Sequence, residues 1–269
     1  MVETIYKIPD APRIALLADL HGRPFQTVIE SIRRRMPDLI CIVGDIIYGT
    51  HPEDDRSPMD MQENVLPFLK SCFEIAPSFL SLGNHEWMLD DGDLKRIREC
   101  GVVVLDNDYM TTTVNGQRIV VGGLTSAYCL AYRQFVKELN PPDRAGARYP
   151  KKNESQGVER CGKTDSHIPE TEWLAEFATV EGRHVLLSHH PEYWQLIKDY
   201  PIELCLSAHA HGGQWRLLGH GVWSPGQGFW PKLTSGVQEG RLVISRGLSN
   251  TTKVPRLFNP TEVVYIERQ

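Results

Sequence analysis

The sequence predicts an α/β fold of two stacked β-sheets with helices on the outside. Apolar strand-like runs alternate with helical stretches over residues 13–105, and a second set of short apolar runs gathers between residues 183 and 266. Most of these runs also stop at an Asp, Asn or His.

Taken in order, residues 13–18 read as a buried strand, and Pro24 suits the first turn of a helix running to about residue 35. Residues 38–43 form a second buried strand. The stretch from about 59 to 70 looks helical, although Pro67 interrupts it. Residues 78–82 are a third strand, and a helix from about 91 to 99 leads into a fourth at 102–105. Such alternation builds βαβ units and a largely parallel sheet. Residues 109–114 and 117–122 flank Asn115-Gly116, a hairpin turn signal. The late strands fall near 183–188, 203–207, 241–246 and 262–266, and there is no internal repeat. The whole chain, 1–269, reads as one domain carrying a polar insertion at about 140–167. That insertion reads first as solvated surface. Its Arg144, Arg148, Lys151 and Lys152 also fit a lid over a phosphorylated substrate.

Composition narrows the classes. Hydrophobic residues make up 41% and charged residues 23%, which supports a sizeable core without staples. A net charge of −5 argues against a broad nucleic-acid-binding surface, so no stable nucleic-acid partner is expected. The six cysteines include no C-x-x-C pair and read as reduced thiols, pointing to a cytoplasmic protein. Residues 1–10 lack a signal-peptide pattern, and no apolar run approaches the roughly 18 residues of a membrane span.

The chemistry sits at the ends of the strands. Asp19 and His21 are two apart, so a carboxylate and an imidazole can converge on one ion. Asp45 follows Gly44, which allows a sharp turn at the sheet's carboxyl edge, and its two oxygens can bridge two cations. In Gly83-Asn84-His85-Glu86, Asn84 offers a neutral amide oxygen. The adjacent His85 diverges and is free to act as a general acid or to bind a phosphoryl oxygen. Of His189 and His190, one faces the metals and the other turns away. His209 and His211 repeat the two-residue spacing beside Gly212-Gly213, which admits close backbone approach. Singly, each cluster also reads as a cap, a turn or a structural His. Five together, all of metal-compatible types, point to a centre for divalent cations. His51, His167, His184 and His220 lack such settings and read as structural or solvated.

In these motifs, Asp19-Leu20-His21, Gly44-Asp45, Gly83-Asn84-His85-Glu86, Ser188-His189-His190-Pro191 and His209-Ala210-His211-Gly212-Gly213-Gln214, the sequence resembles the calcineurin-like metallophosphoesterases. Residues 245–250 and 255–260 resemble the bacterial branch of small phosphodiesterases and lipid-pyrophosphate hydrolases. The resemblance implies a four-layer α/β/β/α sandwich of two mixed sheets with a dinuclear site at one edge. It implies Asp19, His21, Asp45 and His211 around one metal, and Asp45, Asn84, His189 and His209 around the other. His85 matches the catalytic histidine. Tyr48 stands where the family often has an acid or Asn, and Ala208 where it usually has Gly.

The expected reaction is hydrolysis of a phosphodiester or pyrophosphate bond by a hydroxide that two cations generate near neutral pH. Mn, Fe or Zn suits the mixed Asp/Asn/His set. The substrate would be a phosphorylated small molecule, a nucleotide or a lipid. The alternatives are a phosphomonoesterase and a catalytically silent scaffold. Leu82 before Gly83 departs from the protein-phosphatase signature, and the filled ligand positions argue against a scaffold. Trp215, Trp223, Phe229 and Trp230 read first as core or pocket lining; exposed together, they would make peripheral contact with a membrane.

Overall fold

Short apolar runs buried on both faces form the centre of the fold, as strands between two covering layers should be. A computed structural model describes residues 1–48, 57–129, 168–252 and 254–269. The insertion expected at about 140–167, with Arg144, Arg148, Lys151 and Lys152, lies outside these, as do His51, His167 and Cys161.

The first half alternates β1 (Val2–Ile8), β2 (Ile14–Leu17), α1 (Gln26–Arg35), β3 (Leu39–Val43), α2 (Pro58–Met61), α3 (Val65–Phe73), β4 (Ser78–Ser81), α4 (Asp91–Glu99) and β5 (Val103–Leu105). β6 (Asp108–Val114) and β7 (Gln117–Leu124) form the expected hairpin. α5 (Leu174–Phe177), β8 (Arg183–Ser188), α6 (Trp194–Ile197) and β9 (Leu204–Ser207) follow. Two small ladders come next, β10 (Arg216–Leu217) with β11 (His220–Gly221) and β12 (Trp223–Ser224) with β13 (Gly228–Phe229). β14 (Gly236–Gln238), β15 (Leu242–Ile244) and β16 (Glu262–Arg268) complete the chain.

The strands form two mixed six-stranded sheets, ordered β1-β16-β2-β3-β4-β5 and β14-β15-β9-β8-β7-β6. β2 to β5 are parallel, and so are β7, β8, β9 and β15. Two differences from the sequence reading stand out. β1 was not expected, and β16 joins the first sheet, antiparallel to β2, instead of the late group. The stretch at 59–70 divides into α2 and α3. Pro67 lies in the first turn of α3, where its missing N–H costs no helical bond.

Period-two alternation sorts the strand side chains into layers. Ile14, Leu16, Cys41 and Phe79 of the first sheet meet Val121, Leu187, Leu206 and Val243 of the second in a central core. Ala15, Leu17, Ile40 and Leu80 point the other way, onto Val28, Ile32, Phe68 and Ile97 of α1, α3 and α4. Val120, Leu186, Cys205 and Ile244 pack against Phe177, Trp194 and Ile197 of α5 and α6. The order of layers is therefore α/β/β/α. The carboxyl ends of β2, β3, β4, β8 and β9 share one edge of this sandwich, the edge where α/β folds place their sites.

Candidate metal centre

The loops leaving these strands are tied to one another by backbone bonds. Asp19 N–H donates to Gly44 O (3.2 Å), His21 N–H to Asp45 O (3.0 Å) and Ala208 N–H to His189 O (3.0 Å). Asp19, His21, Asp45, His209 and His211 all adopt left-handed backbone, with φ between 47° and 61°. Such conformations cost about 1–3 kcal/mol each and gather at functional sites. They also correct the geometric premise of the sequence reading. Asp19 and His21 lie beyond β2, and His209 and His211 beyond β9, so left-handed turns, not strand periodicity, aim these side chains; Asp19 and His21 share one ligand group, whereas His209 and His211 enter different ones.

Gly44 makes the approach feasible. Its φ is +77°, and a Cβ there would sit 2.3 Å from Gly83 N. Glu86, quoted in its motif without a role, clamps the same loops. Its buried carboxylate accepts from the N–H groups of Asp45 (2.7 Å), Ile46 (2.8 Å) and Gly83 (2.7 Å). Burial first, then the charge of Asp45, pushes Glu86 up to about 7.

Three ligand-type groups assemble here: Asp19, His21 and His211; His21, Asp45 and His85; and Asp45, His189 and His209. Within each, the ligand atoms lie within 4.8 Å of one another. Asp45 Oδ2 is 3.2 Å from His189 Nε2 and 3.8 Å from both His21 Nε2 and His85 Nε2. Asp19 Oδ1 is 3.8 Å from His211 Nε2 and 3.9 Å from His189 Nε2. Asp45 thus belongs to the second and third groups, and His21 links the second to the first. All eight residues singled out from the sequence converge at this edge or on the cavity it opens into.

The donor set fits divalent cations. Both Asp19 oxygens, His21 Nε2, His189 Nε2 and Asn84 Oδ1 are buried and accept or donate no hydrogen bond. Buried polar atoms are rarely left so. His21 Nδ1 bonds Ile47 O (3.1 Å) and His189 Nδ1 bonds Val43 O (2.6 Å). A carbonyl only accepts, so both rings carry a proton on Nδ1 and turn Nε2 into the cluster, as metal-binding imidazoles do. Burial would lower His189, but the charges of Asp45, whose Oδ2 stands 3.2 Å from Nε2, and of Asp19 outweigh burial and push it up to about 10. A field that holds a proton this firmly favours any cation placed there. Burial lowers His209 well below its ordinary value and brings His211 to about 4, leaving neutral rings.

Arg256 stands in the 255–260 stretch quoted for the resemblance, where no role was read for it. Its Nη2 donates to His211 Nδ1 (2.9 Å) and its Nη1 to Arg246 O (2.6 Å). A guanidinium only donates, so His211 as placed carries its proton on Nε2, facing Asp19. A cation takes that ring only after Arg256 withdraws from Nδ1. Gly247 was also missed; a Cβ there would meet Asp19 Oδ2 at 2.3 Å.

His85 is half-buried at the mouth, with its backbone N–H on Asp45 Oδ1 (2.8 Å) and its ring against Tyr48 (6.1 Å). His190 turns away, as expected, to Ser126 Oγ (2.9 Å) and Tyr193. His184 is buried beside Glu203, and His220 is exposed. Ala208 is fully buried in the central core. The centre opens into a cavity of about 210 Å³. A larger cleft of about 920 Å³ lies at the opposite strand ends, where Arg13 pairs with Asp38 (2.8 Å) and Arg268 with Asp10 (2.7 Å). Trp215, Trp223 and Phe229 line a second cavity, so the pocket-lining reading holds for them, but none is core. Trp230 is exposed.

A sequence profile of the calcineurin-like phosphoesterases matches residues 12–213. The metallophosphoesterase YkuE of Bacillus subtilis (strain 168) is 26% identical over 261 residues, covering 93% of this chain and 76% of that protein. The UDP-2,3-diacylglucosamine pyrophosphatase LpxG of Chlamydia muridarum (strain MoPn / Nigg) is 23% identical over 290 residues, 93% of this chain and 82% of that one. The phosphodiesterase YaeI of Escherichia coli (strain K12) is 25% identical over 221 residues, 76% of this chain and 62% of that one.

Proposed function

This chain belongs to the calcineurin-like phosphoesterases, and from that premise we propose that it hydrolyses phosphodiester or pyrophosphate bonds at a centre of two divalent cations. Asp19, His21, Asp45 and His211 would hold one cation, and Asp45, Asn84, His189 and His209 the other. The observation that carries this reading is the set of buried atoms with no hydrogen-bond partner, on Asp19, His21, Asn84 and His189, gathered around Asp45, which lies beside His21 and His189. When bound, the cations supply Lewis acidity, polarising phosphoryl oxygens and lowering the pKa of a water. Mn²⁺, Fe²⁺ or Zn²⁺ suits the donors.

The protein's own groups do the rest. Asp19 and Asp45 supply buried negative charge, while Asn84 adds an oxygen without charge. The carbonyls of Ile47 and Val43 fix the tautomers of His21 and His189. Glu86 holds the backbone that aims Asp45. His85, at the mouth, would donate to the departing oxygen. A diester or pyrophosphate is favoured over a monoester because a pyrophosphatase and a phosphodiesterase are among its relatives.

The test is cleavage of bis-p-nitrophenyl phosphate and p-nitrophenyl phosphate by metal-free protein with Mn²⁺, Zn²⁺ or Fe²⁺ added back. The proposal expects metal-dependent cleavage with the diester preferred. Preference for the monoester would favour a phosphomonoesterase, and inactivity with every metal would favour a scaffold.

A further inference from the structure

The apolar cavity beside the metal centre is unused by the chemistry above. It measures about 290 Å³ and is walled by Trp215, Val222, Trp223, Phe229 and Val254. Gln214, Trp223 and Thr252 belong to its wall and to that of the metal cavity, so the two spaces abut. An occupant of one is covalently within reach of the other.

Several polar atoms at this shared edge are already engaged. Gln214 Nε2 donates to Asn250 Oδ1 (3.1 Å), Thr252 Oγ1 (3.2 Å) and Val254 O (2.6 Å). Thr252 Oγ1 donates to Val254 O (3.0 Å), and the Trp215 indole N–H to Pro255 O (2.9 Å). A sugar or nucleobase edge buried here would leave its polar groups unpaired, whereas methylenes enter without that cost.

Around the mouth the apolar side chains stand out into solvent. Phe229 is 77% exposed, Trp230 65%, Leu218 93% and Phe258 88%. This apolar rim runs along the segments that carry the cavity wall: Phe229 belongs to the wall, Trp230 follows it in the chain, Phe258 follows Leu257, which bridges to Trp215, and Leu218 lies at the turn between β10 and β11. Lys232, also exposed, follows Trp230 by two residues and suits anionic headgroups. A rim of this kind exceeds what one small ligand covers, and aromatic side chains with apolar bodies favour a lipid–water boundary. The rim lies after residue 213, outside the stretch that the phosphoesterase profile matches.

We propose that the substrate is a phosphorylated lipid, with its phosphate at the metal centre, an acyl chain in the apolar cavity and the rim seated in a lipid surface. This rests on the phosphoesterase reading.

The experiment uses the full chain, loaded with Mn²⁺, and p-nitrophenyl phosphodiesters of methanol, hexanol and thymidine at monomeric concentrations. A parallel flotation assay uses metal-free chain with phosphatidylcholine–phosphatidylglycerol vesicles, so its readout is independent of activity. The hexyl ester should be cleaved with kcat/KM at least about tenfold above the methyl ester, since each buried methylene is worth roughly fourfold. The thymidyl ester should show no such gain, and the chain should float. Phe229→Ser with Trp230→Ser should abolish the hexyl gain and flotation while the circular dichroism spectrum stays that of wild type. Both side chains are exposed, so the fold should tolerate the change.

Cleavage of the methyl ester with no hexyl gain, or preference for the thymidyl ester, would overturn the lipid assignment while the phosphoesterase reading stands. No cleavage of any ester would overturn the phosphoesterase reading. Absence of flotation, or a dimer in light scattering that Phe229→Ser dissociates, would overturn the lipid surface in favour of a second copy of the chain.

Discussion

Asp45 Oδ1 accepts the His85 backbone N–H while Oδ2 faces His21, His85 and His189. The side chain and the backbone of His85 therefore have separable duties. His85→Ala should lower kcat/KM for the diester about 10²–10⁴-fold, as loss of general acid catalysis does, while bound metal stays unchanged. Activity and metal content falling together would make His85 a ligand instead. His189 gives a pH signature. Its folded pKa is about 10, above its ordinary value of 6.5. The stability it adds is fully present below pH 6.5 and is lost as pH rises towards 10. Metal-free protein should therefore lose urea resistance between pH 7 and pH 10, and His189→Asn should flatten that slope. All eight predicted residues were legible because each follows an apolar run in a type that binds cations. The roles of Arg256, Gly247 and Glu86 were not, because they act through contacts with distant loops that no local spacing encodes.

At the scale of elements, strands with both faces buried read as continuous apolar runs, which is why β2, β3, β4, β8 and β9 were legible. β1 is half exposed and polar along one side, and its pairing with β16 depends on residues about 260 positions away. Nothing local announces either fact. The turn after β3 is the most constrained connection. Gly44→Ala adds a left-handed penalty and a contact with Gly83 N, at 2.3 Å before relaxation. It should destabilise the protein by about 2–4 kcal/mol, lowering the melting temperature by about 5–10 °C. An unchanged melting temperature would mean that the Gly44 and Gly83 loops part easily.

For the molecule as a whole, the two sheets expose their carboxyl ends at one edge, so side chains of ligand type from five separate loops meet there although they span residues 19–211. The layer order was legible from the alternation of elements, whereas the placement of β16 between β1 and β2 was not. The central claim is that Asp45 joins two cations. Equilibrium dialysis of metal-free protein against Mn²⁺ tests it most directly, on wild type and on Asp45→Asn, which keeps the side chain's shape and removes its charge. The account predicts two ions per wild-type chain and at most one, weakly held, in Asp45→Asn. A single ion in wild type, or two held equally tightly by Asp45→Asn, would contradict it.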